Sequence, residues 1–305
     1  MGCEVLNMKR MLLAALVLLL MMIPTHAAEF TDAIGREVAL SDAPQRVIAL
    51  LGSYGKVWQE AGGTLIGTTE DAIDPESDAV ANLGSHSQPN MELLFALEPD
   101  FVILSADTAA HPAIGDVLQS AGVPHGYFSM QTWQGYMDML RTFTEITGRE
   151  DLYRNAEKSI AGSIEMTIAD AQSQPGYGKQ SALLLRAYVT SVKAKGSEGT
   201  VAGPMLKELG LVNIADSDSM LSENLTMEAI LMADPDWIFV VTMGADQEGA
   251  IRMLNDSLLS NPAWSTLTAV REGRYVVLDR ELFQLRPNGR WAEAYKTLYK
   301  LIYEE

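Results

Sequence analysis

The chain has 305 residues, a formal net charge of -18, 7% aromatic residues and one cysteine. That length is enough for about two ordinary domains, and the acidity with no basic, aromatic-interleaved run excludes nucleic acid and anionic membranes as natural partners. The single cysteine excludes a disulfide framework and a Cys-based zinc site.

Lys9 and Arg10 precede an apolar run from Met11 to Ile23, which ends in Pro24-Thr25-His26-Ala27-Ala28. This is the charge, core and small-residue order of a secretory signal, and the run is short of the ~20 residues a spanning helix needs. Residues 1–27 are therefore expected to be a cleaved signal peptide and the remainder to be periplasmic or extracytoplasmic. Cys3 lies upstream of the run, so no lipid-anchor cysteine is expected at the cleavage site.

Phe30 to Leu40 predicts a small strand pair turning at Ile34-Gly35, and Arg46 to Leu51 an apolar strand running into a Gly52–Lys56 loop. A helix through Trp58 follows, then a strand at 64–68, a polar loop at 69–89, a helix and strand from Asn90 to Leu104, a helix at 114–120 and a strand at 123–128. Alternating strands and helices imply a parallel sheet covered on both faces. Two helices come next, Trp133 to Thr147 and about Glu150 to Ala171, broken at Gly148. In the second, Leu152, Ala156, Ile160 and Ile164 recur at i+4 as one apolar stripe. About 22 residues at ~1.5 Å rise make a rod of roughly 33 Å, long enough to join two lobes.

The alternation then resumes with a strand at 181–188, a helix at 203–209, a short strand at 212–215, a helix and strand from Thr226 to Thr242, a helix at 254–259, a strand at 274–278 and a C-terminal helix from Arg290. The expected division is a lobe at 28–148, a connecting helix at 149–174 and a second lobe at 175–305. Ligands of open α/β sheets sit beyond the carboxyl ends of strands. That rule selects the loops at 52–56, 84–90, 186–200, 243–248 and 280–289.

One unit occurs in both halves without gaps. Asn90-Met91-Glu92 through Pro99-Asp100 to Leu104 lies over Thr226-Met227-Glu228 through Pro235-Asp236 to Val240. Each copy reads as an Asn or Thr cap, a glutamate in the first turn, an apolar stripe, a Pro-Asp stop and a buried strand. Two similar lobes with a cleft between them follow from the repeat.

With Phe30 to Val38, Arg46 to Leu50, Leu83-Gly84, the two repeat units, Leu206 to Asn213, Asn261-Pro262-Ala263-Trp264 and Gly273-Arg274-Tyr275-Val276 taken in order, the chain resembles the periplasmic binding proteins of iron-siderophore, haem and cobalamin ABC importers. The resemblance implies an α/β fold of two Rossmann-like lobes with parallel sheets, joined by a single long helix and holding an iron chelate in the cleft. It implies a monomer that binds and hands over its ligand, with no catalytic residues, no resident cofactor and no metal site of its own. It also implies that Glu92 and Glu228 meet arginines of an ABC permease; first-turn glutamates also complement the helix dipole, and both roles can hold. For the ligand, it implies aromatic and arginine contacts, which the selected loops supply as Tyr54, His86, Arg186, Tyr188, Phe283 and Arg286. Lys193 and Lys195 add charge at the second-lobe mouth.

Ser85 stands where haem-binding members resembling this chain place a tyrosine, with His86 beside it, so a siderophore-type chelate is expected first and haem or corrinoid second. An exported metal-handling enzyme on a chelatase-like fold is the competing class. Against it, Gly52-Ser53-Tyr54-Gly55 lacks the nucleophile-elbow spacing, and Gly176-Tyr177-Gly178-Lys179-Gln180 lacks that of a phosphate loop.

Overall fold

The computed structural model describes residues 28–73, 79–217, 221, 223 and 225–304. The expected signal peptide and Cys3 thus lie outside the described residues. A short antiparallel pair, β1 (Ala28–Thr31) and β2 (Glu37–Leu40), turns through Gly35 at φ 82°, a left-handed backbone that glycine adopts at little cost. The first lobe then runs β3 (Val47–Ala49), α1 (Gly52–Glu60), β4 (Gly67–Thr68), β5 (Ala81–Asn82), a hairpin of β6 (Gly84–Ser85) and β7 (Gln88–Pro89), α2 (Met91–Ala96), β8 (Phe101–Ser105), α3 (His111–Ser120) and β9 (His125–Phe128). Its sheet is wholly parallel in the order β5-β4-β3-β8-β9.

The segment 52–56 is the first turn of α1 and not the loop that its glycines suggest. Gly52 is there for close approach: a Cβ would stand 2.4 Å from the Ala72 Cβ, while its N–H donates to Asp71 Oδ2 at 3.1 Å.

Helix α4 (Trp133–Thr147) ends at Gly148, φ 69°, and α5 comprises Glu150–Ala156 and Gly162–Gln172 with a π-helical turn, Glu157–Ala161, between them. That turn inserts a residue into the expected i+4 stripe, so burial passes to Ala161, Ile164 and Ala171, with Ile160 and Ile168 packed beside them. The second lobe runs β10 (Ser181–Ala187), β11 (Val192–Lys195), α6 (Ala202–Glu208), β12 (Val212–Asn213), α7 (Met227–Ala233), β13 (Trp237–Thr242), α8 (Gln247–Leu254), α9 (Thr268–Arg271), β14 (Tyr275–Val277), α10 (Arg280–Phe283) and α11 (Trp291–Tyr303). Its order is β11-β10-β13-β14, with β12 also on β10; β11 alone runs antiparallel. The stretch expected as a loop from 186 to 200 folds back as that hairpin.

The two repeat copies adopt the same geometry. Asn90 and Thr226 cap their helices by accepting from the N–H of Leu93 (3.0 Å) and Ala229 (3.1 Å). Glu98 and Asp234, each just before proline, both take left-handed φ, 46° and 36°. The following aspartates clamp the neighbouring strand: Asp100 accepts from the N–H of Gln45 and Arg46 at 2.8 Å, and Asp236 from the N–H of Ser181 at 2.7 Å. Register is set alike, with Val47 opposite Phe101 and Ala182 opposite Trp237.

One apolar core spans the molecule. Val47, Trp58, Phe101 and Phe143 of the first lobe, Ile164 of α5, and Leu184, Phe239, Phe283 and Trp291 of the second belong to a single buried cluster. Separate clusters fill the outer face of each sheet. Two carboxylates tie the halves across this core. Glu60 accepts from Tyr136 Oη at 2.9 Å and from the Gly289 N–H at 3.3 Å; Glu208 accepts from Tyr295 Oη and from Trp133 Nε1 at 3.2 Å. Burial and the adjacent Glu208 push the Tyr295 phenol far up, so it stays a donor.

Glu208→Ala strands the Tyr295 hydroxyl and the Trp133 N–H without their acceptor, at a cost of about 2 kcal/mol. For a chain of this size that corresponds to a fall in Tm of about 3 °C. A melting curve within a degree of the parent would mean that Glu208 carries no structural load.

Candidate functional site

The carboxyl edges of both sheets meet at a seam between the lobes, and Arg286 crosses it. Its Nε donates to the Met130 carbonyl at 3.1 Å, its Nη2 lies 3.4 Å from Asp107 Oδ2, and its guanidinium stands over the Tyr54 ring, 5.4 Å from the centroid. Asn288 Nδ2 adds a second crossing, to the Ser53 carbonyl at 3.2 Å. Asp107 follows β8, and it also accepts from Gln131 Nε2 at 2.8 Å and Ser129 Oγ at 3.0 Å. Tyr54 is fully buried in the first turn of α1, its hydroxyl 3.3 Å from both Ser105 Oγ and Asp107 Oδ2. Burial lifts its pKa to about 12, against the pull of Arg286, so the phenol remains protonated.

The second-lobe wall is cationic. Arg186 is the penultimate residue of β10 and stands directly opposite Lys193 of β11, two like charges side by side on one sheet face. Neither has an acidic partner among the described residues, and Arg186 Nε is buried with nothing to donate to. Lys195 extends the same face two residues on. Tyr188, half-buried, begins the hairpin turn, its N–H on the Ser191 carbonyl at 2.8 Å. From the adjoining element come Arg280, whose Nε is also buried and unpaired, and Gln284, whose Oε1 is unpaired while its amide nitrogen meets Met243 Sδ at 3.1 Å. Phe283, by contrast, is 1% exposed and packed in the central core, beneath the wall and not on its surface.

The first-lobe mouth carries His86 at the tip of the β6–β7 hairpin, its ring exposed. Its carbonyl is held by His111: Nε2–H donates to His86 O at 3.0 Å, and Nδ1 accepts from the Ser105 N–H at 2.7 Å. Those two partners require the Nε2–H tautomer. Burial holds the His111 pKa below the ordinary histidine range. His125 lies away from the seam, bonded through Nδ1 to Val123 O and through Nε2 to Arg36. Among the described residues no group of three His, Cys, Asp or Glu side chains could hold a metal ion.

Glu92 and Glu228 each occupy the first turn of their repeat helix, exposed and without an ion pair or hydrogen bond to any described residue. Helices that cross between parallel strands start at the carboxyl edge of the sheet, so both glutamates lie on the edge that bears the seam.

Residues 38–282 match the family described as periplasmic binding protein. The chain belongs to that family. Among relatives of this periplasmic binding protein is YhfQ of Bacillus subtilis (strain 168), which carries the name of an ABC transporter substrate-binding lipoprotein; it is 24% identical over 88% of this chain and 86% of its own. The Fe(3+)-citrate-binding protein YfmC of the same organism is 23% identical over 80% of this chain and 76% of its own. The siderophore-binding protein BauB, solved with two molecules of acinetobactin and ferric iron, superposes with a TM-score of 0.71 at 19% identity, over 90% of this chain and 99% of its own. YhfQ is named a lipoprotein, whereas no lipid-anchor cysteine is expected at the cleavage site of this chain; the leader with Cys3 lies outside the described residues.

Asp107 and Gln131 lie outside the loops selected by sequence, and Arg280 and Gln284 lie inside the 280–289 loop without being among the residues named from it. A signal for Asp107 was available: it directly follows the repeat strand β8, at the kind of position that selected 243–248 in the other copy.

Because the folded state holds His111 neutral, the unfolded chain takes up its proton first as pH falls. Stability is therefore present in full above about pH 6.5 and is lost as pH drops below it, with buried His125 adding in the same direction. The expected outcome is a parent Tm that falls between about pH 7.5 and about pH 5.5, and a smaller fall for His111→Gln, which keeps an amide donor and acceptor at the site. Equal falls in the two proteins would remove His111 from the acid response.

Proposed function

We propose that this protein captures an anionic ferric chelate, of siderophore or carboxylate type, at the interlobe seam and delivers it to an ABC permease. Binding and hand-over are its whole activity, with no chemistry on the ligand. The observation that carries this reading is the cationic wall of a strongly acidic protein: Arg186 faces Lys193 with no counter-charge, and unpaired guanidinium nitrogens of Arg186 and Arg280 await acceptors. Guanidinium is a planar donor fork suited to carboxylate and catecholate oxygens, and an anion between like charges relieves their repulsion. The relatives named for Fe(3+)-citrate and for a ferric siderophore support the same chemistry. Arg186, Arg280 and Arg286 are assigned to the ligand's anionic groups, Tyr188 to its flat face and His86 to the rim, with the buried Tyr54 and Phe283 supporting the site from within.

The exposed His86 favours haem or a corrinoid as the second reading, since a free imidazole at the mouth can ligate iron. Export with removal of residues 1–27 and action as a monomer complete the proposal.

Titration of tryptophan fluorescence with ferric citrate and a panel of ferric siderophores, haem and cobalamin tests the assignment. A Kd of about 1 μM or tighter, corresponding to about -8 kcal/mol, is expected for at least one anionic ferric chelate. Arg186→Ala and Arg286→Ala should each weaken it by about tenfold or more with folding intact. Saturable binding of haem or cobalamin alone would transfer the assignment to the second reading, and parent-like affinity in both variants would overturn the arginine wall.

Docking is assigned to Glu92 and Glu228, unpartnered pegs that occupy equivalent places on the two lobes. Exposed charges contribute only ~0–1 kcal/mol to folding but act on encounter and register at an interface. Glu92→Gln with Glu228→Gln should leave Kd and Tm unchanged and reduce chelate transport by the cognate permease in reconstituted vesicles. Undiminished transport would leave these glutamates only their dipole role.

A further inference from the structure

The ion pair that closes the seam joins a residue assigned to the ligand with one that has no assigned role. Arg286 Nη2 and Asp107 Oδ2 lie 3.4 Å apart, with both side chains mostly buried, 23% and 18% exposed. A buried pair normally opens at a high cost because each charge is left without a partner. Neither would be stranded here. Asp107 keeps hydrogen bonds from Ser129 Oγ, Gln131 Nε2 and the Tyr54 hydroxyl, all within its own lobe. Arg286 keeps its Nε bond to the Met130 carbonyl and its place over the Tyr54 ring, so the guanidinium stays aimed at the seam when the carboxylate is gone.

We propose that Asp107 is an internal counter-anion: in the unliganded protein it pairs with Arg286 across the lobes, and an anionic chelate binds by taking Arg286 from it. The proposal deepens the ferric-chelate reading and rests on it for the identity of the displacing ligand. Asp107 sets selectivity through this exchange. A chelate carrying carboxylate or catecholate oxygens can replace the Asp107 oxygen at Arg286, whereas a cationic chelate cannot.

The test is a double-mutant cycle on Asp107→Asn and Arg286→Gln, with ferric citrate as the anionic probe and ferric desferrioxamine B as the cationic one. Asp107→Asn keeps the size of the side chain and its acceptor for Gln131 while removing the competing charge. It should tighten ferric citrate binding by about five- to tenfold in the parent background and leave it within about twofold in the Arg286→Gln background. Binding of the cationic probe should not tighten in either.

Equal tightening in both backgrounds would overturn the proposal, because Asp107 would then act by general repulsion and not through Arg286. A second readout needs no ligand: the Tm changes of the two single variants should be non-additive in the unliganded protein, and additive changes would show that the pair does not form there. If the parent binds neither probe while the unliganded cycle is coupled, the choice of chelate fails and the interlobe pair stands. If the parent binds ferric citrate and neither cycle shows coupling, the chelate reading stands and the counter-anion fails.

Discussion

The structure depends on one continuous apolar core that passes from the first sheet through α5 into the second. Phe101, Ile164, Phe239 and Trp291 belong to the same buried cluster, so the lobes share their interior and are not two bodies on a flexible strap. Opening the seam widely would expose apolar surface at roughly 25 cal/mol per Å², which restricts the lobes to small relative movements. The Glu60 and Glu208 carboxylates reinforce this. Each sits at the end of the first helix of its lobe, takes a tyrosine hydroxyl, and reaches a group from the opposite half.

On this stiff frame the side chains at the sheet edges differ in charge between the lobes. Those of the first lobe are polar and anionic: Asp107 gathers neutral donors from Ser129, Gln131 and Tyr54 and keeps its charge. Those of the second lobe are cationic and incompletely paired. In a chain with net charge -18 the distant carboxylates do little to cancel this wall, because exposed charges more than about 8–10 Å away are screened by salt. The local charge at this edge is therefore set by Arg186, Lys193, Arg280 and Arg286.

The internal repeat explains how the same edge is built twice. A side-chain cap starts each helix, a left-handed residue before proline ends it, and the next aspartate clamps the strand alongside. With both ends fixed, the first-turn glutamate of each copy is delivered to the same edge of its sheet. Nothing in the described structure consumes either charge.

The amino-acid sequence by itself determined the main strands and helices, the helix between the halves and the equivalence of Glu92 with Glu228, because these rest on apolar periodicity, caps and stops acting within a few residues; the short strands β5 to β7 and β11 fell within expected loops. It also placed Arg186 at the carboxyl end of a strand, which is a local property, whereas Arg286 lies beyond α10. Tertiary structure alone decided that 52–56 begins a helix packed against Ala72, that Phe283 turns into the core and that Arg186 stands opposite Lys193. It likewise decided that Asp107 meets Arg286. Each of these depends on which distant segment lies alongside, and burial, cross-strand pairing and ion pairing act through space between residues that local periodicity cannot relate.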